Sequence, residues 1–457
     1  MKRTLISLIF IAAAFTNLWA QQCIQFTLGS REALPAISRT VSIDRVDGNL
    51  VTAYANKEEL QALEAMGIAC TTLEPQQPKV LNMATTVEQM ANWDRYPTYE
   101  TYVAMMQQYA TQYPSHCSLD TIGYSRDGRL ILCAHITSGE VAEVYRPEFF
   151  YSSTMHGDEV TGFYLMLRLI DTLLHGYGHN DYITELMNSI EIYINPLSNP
   201  DGTYHGGNST VGGSQRYNAN YVDLNRNYPD PFGTEPFNSQ QIENTAMIDY
   251  VSHHNFKMSA NLHGGAEVLN YPWDSYETYQ QQHPQHDWWI EVSKRFIDTV
   301  KQYSNSHFRD VTNSGYIAGG DWYVISNGRQ DYFNYYHNCL EITMELSTTK
   351  TLGTDRLNEY WQFEGPALIS FMNEVRTAPN LGTQAITMAE SESLTAYPNP
   401  TLGMVNIAPS QGGFLLNIYG NKVATVATGA TTIDLTALPA GTYLYVSQGR
   451  CTRIVKQ

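Results

Sequence analysis

EFFYSSTMHGDE (residues 148–159) places Phe149, Phe150 and Tyr151 in succession, with no alternation of apolar and polar positions. A strand that buries both faces reads this way, and such strands belong to sheets covered by helices on each side. GFYLMLRLIDTLLHGY (162–177) follows at once and has the spacing of an amphipathic helix. IEIYINPL (190–197), KMSANLH (257–263) and CLEITMEL (339–346) are further short apolar runs of the same kind. PTYETYVAMMQQYATQY (97–113) reads as a helix, and SLDTIGYSRDGRLILCAHIT (118–137) as a hairpin turning near Asp127-Gly128. FEGPALISFMNEVR (363–376) is the last helix of the series. Strands alternating with helices predict an α/β domain over 88–378, with helices on both faces of its sheet.

The flanks differ in character. Residues 1–20 carry Lys2 and Arg3, then an apolar core from Leu5 to Phe15, then Ala20. That is the pattern of a secretory signal peptide, too short and too early for a membrane span. Residues 21–80 form a small α/β unit: IDRVDGNLVTAYA (43–55) alternates like a hairpin about Asp47-Gly48, KEELQALEAMG (57–67) is a short helix, and GIACTTLEP (67–75) a further strand. PQQP (75–78) is the expected linker. This unit is either an extra subdomain or a prosegment that covers an active site. Residues 379–391 are small and polar, a second linker, and 392–457 are short alternating strands with Gly, Asn and Pro turns, an all-β sandwich.

Composition bounds the function. The chain has 457 residues, 43% hydrophobic and 16% charged, so it can bury a sizeable core. Its net charge of -18 argues against nucleic acid and anionic membranes as partners. No later run reaches the length of a membrane span, so no transmembrane segment is expected in the mature protein. None of the six cysteines shows the CxxC spacing of a zinc site, and in an exported chain Cys23 and Cys70 are the favoured bridge.

Chemistry gathers at strand ends. His156 and Glu159 follow the first strand, His263 ends KMSANLH, and Glu345 lies near the end of CLEITMEL. Ligands of open α/β sheets collect outside the carboxyl ends of the strands, so these side chains can converge. Two imidazoles and a carboxylate form a catalytic zinc set with one position left for water, and a free carboxylate beside it can take a proton. RYNANYVDLNRNYPDPFG (216–233) adds Arg216, Asp223, Asn225, Arg226 and Asn227 in an otherwise base-poor chain. A guanidinium fork suits recognition of a carboxylate.

Five motifs in order, His156-Gly157-Asp158-Glu159, Asn199-Pro200-Asp201-Gly202, Asp223-Leu224-Asn225-Arg226-Asn227, Leu262-His263-Gly264-Gly265 and Glu341-Ile342-Thr343-Met344-Glu345-Leu346, resemble the zinc metallocarboxypeptidases, in particular the regulatory subfamily that includes carboxypeptidases D, E and N. The resemblance covers roughly 90–378. It implies a mixed central β-sheet flanked by helices and one Zn2+ ion held by His156, Glu159 and His263, with Asp223 orienting His156. It also implies Glu345 as general base, Arg216 as the group that stabilises the oxyanion, and Asn225 with Arg226 as the pair that holds the substrate's terminal carboxylate. Tyr323, 22 residues before Glu345, matches the family's active-site tyrosine; Tyr316 is the rejected alternative.

Asp274, eleven residues after His263, and Gln330 match pocket positions that would pair with a basic side chain, so release of C-terminal Arg or Lys is expected. Arg329, close to Gln330, departs from the apolar residue usual there. The final domain resembles the C-terminal sorting domain of the Bacteroidetes type IX secretion system, through Tyr397-Pro398-Asn399-Pro400-Thr401, Leu438-Pro439-Ala440-Gly441-Thr442-Tyr443 and the basic Arg453 and Lys456. That implies outer-membrane secretion machinery as a partner and a secreted or surface location reached through the periplasm. The alternatives are a zinc peptidase for cell-wall peptides ending in diaminopimelate or D-residues, and an inactive peptide-binding module.

Overall fold

The computed structural model describes residues 22–74, 79–139, 146–236, 238–379, 396–417, 422–447 and 450–457. The expected signal peptide and the PQQP linker fall outside them, as does the second linker from 380 onward. The chain forms two compact units, divided after Asn380.

The first unit begins with a sheet of four strands, β1 (Gln22–Thr27), β2 (Ser42–Asp47), β3 (Leu50–Ala55) and β4 (Thr71–Thr72), in the order β2-β3-β1-β4, with helices α1 (Leu34–Ser38) and α2 (Lys57–Ala65). Gly48, at φ 59°, makes the β2–β3 turn that an L side chain would resist. Asn56 and Glu59 close a capping box on α2, and Gly67, at φ 78°, lies just past its end. Ile24, Phe26, Ile37, Ile43, Val51 and Leu63 are among the residues of a separate apolar core. Cys23 and Cys70 are free thiols, which corrects the expected bridge. The Leu73 amide bonds the Cys23 carbonyl, so Cys70 sits three residues further along the strand pair. At ~3.3 Å per residue that is far beyond disulfide reach.

After a short parallel pair, β5 (Met83–Ala84) and β6 (Tyr96–Pro97), comes α3 (Tyr99–Gln112), then β7 (Cys117–Tyr124), β8 (Leu130–Ile136), β9 (Glu148–Ser153), α4 (Thr161–Gly176), α5 (Asp181–Ser189), β10 (Glu191–Asn195) and the single turn α6 (Pro200–Thr203). Next are α7 (Ile242–Ser252), β11 (Phe256–His263), β12 (Glu267–Tyr271), α8 (His286–Lys301), β13 (Tyr316–Ala318), α9 (Gly319–Trp322), α10 (Arg329–Tyr336), β14 (Leu340–Leu346) and α11 (Leu357–Met372). The helix expected to begin at Phe363 thus begins six residues earlier, at Leu357.

Strands β7 to β14 form one mixed sheet, ordered β13-β12-β14-β11-β9-β10-β8-β7, in which β14, β11, β9 and β10 run parallel. Strand β9 is covered on both sides, as its composition predicts. Phe149 and Tyr151 pack on Phe371 of α11, while Phe150 stacks on Phe256 and joins Met247 and Val251 of α7 and Phe333 of α10. No described helix is long and apolar enough to cross a membrane.

The second unit is all-β. β15 (Ala396–Tyr397), β16 (Met404–Ile407) and β19 (Thr432–Asp434) form one sheet; β17 (Gln411–Asn417), β18 (Lys422–Thr428), β20 (Gly441–Ser447) and β21 (Arg450–Lys456) form the other. Inward-facing Val405, Ile407, Leu415, Val426, Ile433, Tyr445 and Ile454 make its core. The Tyr443 hydroxyl donates to the Pro439 carbonyl at 2.7 Å, fixing the Leu-Pro-Ala-Gly turn against the strand it precedes.

Candidate metal and substrate site

Register brings the first residues together. β11 lies between β9 and β14, with Leu262 level with Ser153 and His263 level with Glu345. Three adjacent strands therefore deliver His156, His263 and Glu345 to one edge of the sheet. Past β9 the chain turns sharply. Thr154 adopts φ 61°, an uncommon conformation for a β-branched residue, held by its hydroxyl bonding the Ser153 hydroxyl and the Glu159 carbonyl.

The Asn199-Pro200-Asp201-Gly202 turn packs beneath that loop. The Asn199 amide donates to the carbonyls of Met155 and Arg216 and accepts from the Gly202 amide. A Cβ on Gly157 would stand 2.3 Å from the Gly202 carbonyl carbon, so the two loops can approach this closely only with glycine at 157. Asp201 in turn binds Ser125, the Asp127 amide and Arg129. Sequence reading noted this motif without a role; its role here is to place His156 against Arg216.

His156, Glu159 and His263 are buried, and one ligand atom from each lies within 4.8 Å of the others. The His156 Nε2 is engaged by Asp223 Oδ1 at 3.0 Å, which directs Nδ1 toward Glu159 Oε1 at 2.9 Å and toward His263 Nδ1 at 3.1 Å. His263 Nδ1 is also 2.8 Å from Glu159 Oε2. Two imidazole nitrogens facing one another across a carboxylate are a donor set that fits a zinc ion. Burial pushes His263 down to about 4, so it is neutral and able to ligate at physiological pH. Burial alone would raise Glu159, but the two imidazoles hold it well below the usual carboxylate range.

Asp223 is fixed twice over. Its Oδ1 accepts the Asn225 amide at 2.8 Å, and its Oδ2 takes the Arg216 guanidinium at 3.1 Å. Burial opposes its charge, but Arg216 and His156 hold its pKa well below the usual range. Arg216 also reaches Glu159 at 3.3 Å. Glu345 presents a buried Oε2 with no hydrogen-bond partner among the described residues, and burial together with the nearby Glu159 pushes its pKa well up.

The same cavity is lined by Asn225, Arg226, Asn270, Asp274, Tyr323, Ile325 and Thr343. Arg226 has a buried Nε with no hydrogen-bond partner among the described residues, and the Asn225 side-chain oxygen accepts the Arg329 backbone amide at 2.9 Å. Asp274 is 3% exposed and takes the Gln330 Nε2 at 2.8 Å, while Gln330 Oε1 accepts the Thr343 amide. Tyr323, not Tyr316 on β13, reaches the cavity.

Sequence reading missed three supports. Asp331 accepts the backbone amides of Asp274 and Ser275, both at 2.9 Å, and burial raises its pKa to about 6. Gly319 leaves room for Asp274, since a Cβ there would stand 1.9 Å from its Oδ1. Lys350 lies 3.1 Å from Asp158 and 3.8 Å from Glu159. The position of Asp331 next to Gln330 was a usable signal; for Lys350 there was only its rarity as a base.

The Arg329 guanidinium does not line the cavity. It turns into the core, ion-paired with Glu341 at 3.0 Å, bonded to Ser152 and lying 4.3 Å over the Phe333 ring. The departure from an apolar residue at this position therefore brings no positive charge into the pocket beside Gln330.

The zinc carboxypeptidase family model matches residues 102–365, more than half of the chain. The chain belongs to the zinc carboxypeptidase family. Among its curated relatives, carboxypeptidase D of Anas platyrhynchos is 30% identical over 363 residues, covering 75% of this chain and 26% of that protein. Carboxypeptidase M of Mus musculus is 33% identical over 303 residues, covering 62% of this chain and 66% of that one. This zinc carboxypeptidase chain therefore spans about a quarter of the length of the first relative. A carboxypeptidase A from Helicoverpa armigera shares the fold at a TM-score of 0.58 and 16% identity, covering 79% of this chain and 98% of the other.

Proposed function

We propose that this protein is a secreted zinc-dependent carboxypeptidase that hydrolyses the C-terminal peptide bond and releases arginine or lysine. The observation that carries the specificity is Asp274. It is a buried carboxylate, bonded by Gln330, at the wall of the cavity that also holds the metal-ligand set and Arg226. A buried acid left without a cation is costly, so the pocket favours a side chain that brings one.

The roles follow from position. His156, Glu159 and His263 hold the zinc ion, and Asp223 orients His156. Zinc supplies a Lewis acid that makes water nucleophilic near neutral pH. Glu345 takes the proton of the attacking water and passes it to the leaving amine. Arg216 donates to the oxygen on which charge develops. Asn225 and Arg226 hold the terminal carboxylate, Tyr323 closes on the substrate, and Asp274 with Gln330 reads the side chain. Residues 1–20 direct export, 88–378 are catalytic, and 392–457, within the second unit, are a sorting domain read by outer-membrane machinery. The complete ligand set favours this reading over an inactive binding module.

The test is hydrolysis of matched peptides ending in Arg, Lys, Phe, Leu or Glu, with and without a zinc chelator, beside a cell-wall peptide ending in diaminopimelate. Chelator-sensitive release of Arg and Lys alone is expected. Release of Phe or Leu at equal rates refutes the pocket assignment, and release only from the cell-wall peptide refutes the substrate class.

A further inference from the structure

We infer that the cavity between the β2–β3 turn and the β13–α9 segment binds a free basic amino acid, arginine or lysine, with its carboxylate on Arg31 and its cationic groups facing Asp310 and Asp321. This cavity shares no lining residue with the metal and substrate cavity. The inference stands on its own geometry and goes beyond the carboxypeptidase reading above.

Size sets the class of occupant. The cavity has a volume of ≈ 180 Å³. At about 15 Å³ for each water-sized group, it has room for about a dozen. A free amino acid with a long side chain is of that size, and a peptide exceeds it. The floor is apolar: Ala266, Val311, Ile317 and Trp322, of which Ala266 and Trp322 pack with Val268 in a small core of their own. The rim is charged, and Arg31, Asp47 and Asp321 are exposed there. An apolar floor with a few placed charges is the composition of a small-molecule site. The methylene stem of arginine or lysine suits such a floor, with its charged end at the rim.

Charge selects within that class. Arg45 is already engaged: its Nε donates to Asp47 at 2.7 Å, and one terminal nitrogen donates to the Gly265 carbonyl at 2.8 Å and lies 3.8 Å from Asp310. Arg31 is not. Its guanidinium donates to two backbone carbonyls, those of Gly48 at 3.1 Å and Trp322 at 2.5 Å, and meets no carboxylate among the described residues. A guanidinium without an acid is a receptor for a carboxylate. Asp321 is the converse. It accepts the Thr278 amide and hydroxyl, both at 2.8 Å, and pairs with no cation among the described residues. Two guanidiniums against three carboxylates leave the rim one negative charge in excess. A free amino acid with a basic side chain carries one net positive charge. It therefore satisfies Arg31 and neutralises the rim together, which a neutral or acidic amino acid does not.

The experiment titrates the zinc-loaded full chain by calorimetry with L-arginine and L-lysine. Agmatine, which lacks the carboxylate, norleucine, which lacks the side-chain cation, and glutamate are titrated beside them. The variants are R31Q and D321N at this site, D274N in the substrate cavity, and E58Q on exposed α2 surface, each checked by thermal unfolding. Arginine and lysine should bind the parent. Loss of one charge-assisted contact should weaken agmatine and norleucine roughly 10- to 100-fold, and arginine by the same factor in R31Q and in D321N. D274N and E58Q should bind arginine as the parent does. Asn at 321 can keep both Thr278 bonds, so D321N decides the matter where R31Q disturbs the fold. No arginine binding by the parent overturns the inference, as does equal binding of norleucine or glutamate. Binding that D274N abolishes and D321N leaves unchanged would place the ligand in the substrate cavity and also overturn it. Turnover is not read, so failure of the carboxypeptidase reading would leave this result intact.

Discussion

Replacing Asp274 by Asn removes one charge and almost no volume, so it isolates what that charge does. The Gln330 Nε2 now at 2.8 Å from the carboxylate can bond the Asn oxygen equally well, so pocket shape should persist. What is lost is a charge-assisted hydrogen bond to a cationic side chain, worth about 1.5–3 kcal/mol. At about 1.36 kcal/mol per decade, kcat/KM for arginine- and lysine-ended peptides should fall roughly 10- to 150-fold. Leucine- and phenylalanine-ended peptides should lose nothing and can gain. The free protein should move the other way. Burial, then Asp331, raise the Asp274 pKa well above its ordinary value. A group with a raised folded pKa contributes stability below the unfolded pKa, near 4, and loses it as pH rises. D274N should therefore melt higher than the parent at pH 7, with a smaller advantage at pH 4. The assay is a matched peptide set read beside thermal unfolding at both pH values. An equal loss on basic and apolar peptides would refute the reasoning, because the Asp274 charge would then not be reading the side chain.

E345Q should cut kcat by about 10²-fold or more while retaining one zinc per chain, measured by turnover and metal analysis. Arg329→Met leaves Glu341 buried without its partner and should cost about 3–5 kcal/mol in denaturant unfolding, yet leave the Arg-to-Leu selectivity ratio unchanged. His283 is buried beside Trp273, its Nδ1 accepts the Gln285 amide, and burial pushes its pKa down to about 3. Its contribution is present above the unfolded pKa near 6.5 and is lost as pH falls, by about 2 kcal/mol at pH 5. Urea unfolding of H283Q between pH 7 and 5 should show a slope shallower than the parent's by that amount.

The ligand set and the sheet were legible because they rest on local signals. Consecutive aromatic residues mark β9, and the His-Gly-Asp-Glu and Leu-His-Gly-Gly stretches stand where strands end. Arg329 was not legible: whether a guanidinium points into a pocket or into the core depends on Glu341 and Phe333, which only folding places beside it. Nor was Asp331, whose work is to hold backbone amides. The Cys23–Cys70 pairing failed on strand register, which depends on how β4 docks, not on either cysteine. The hairpin, helix and strand of residues 22–74 were legible as local patterns, but nothing in them announces that the Arg216 guanidinium donates to Ser42 at 3.0 Å and to Asp44 at 3.1 Å.

His156, just past the end of β9, His263 in β11 and Glu345 in β14 are brought together by three neighbouring parallel strands separated by long stretches of chain. Parallel pairing needs a crossover for each step, so these contacts carry a high loop-closure cost. A fragment that lacks any one of the three strands cannot bring these side chains together. On the proposed reading, hydrolytic capacity thus arrives only with the finished sheet, and an incomplete chain is harmless to its surroundings by construction.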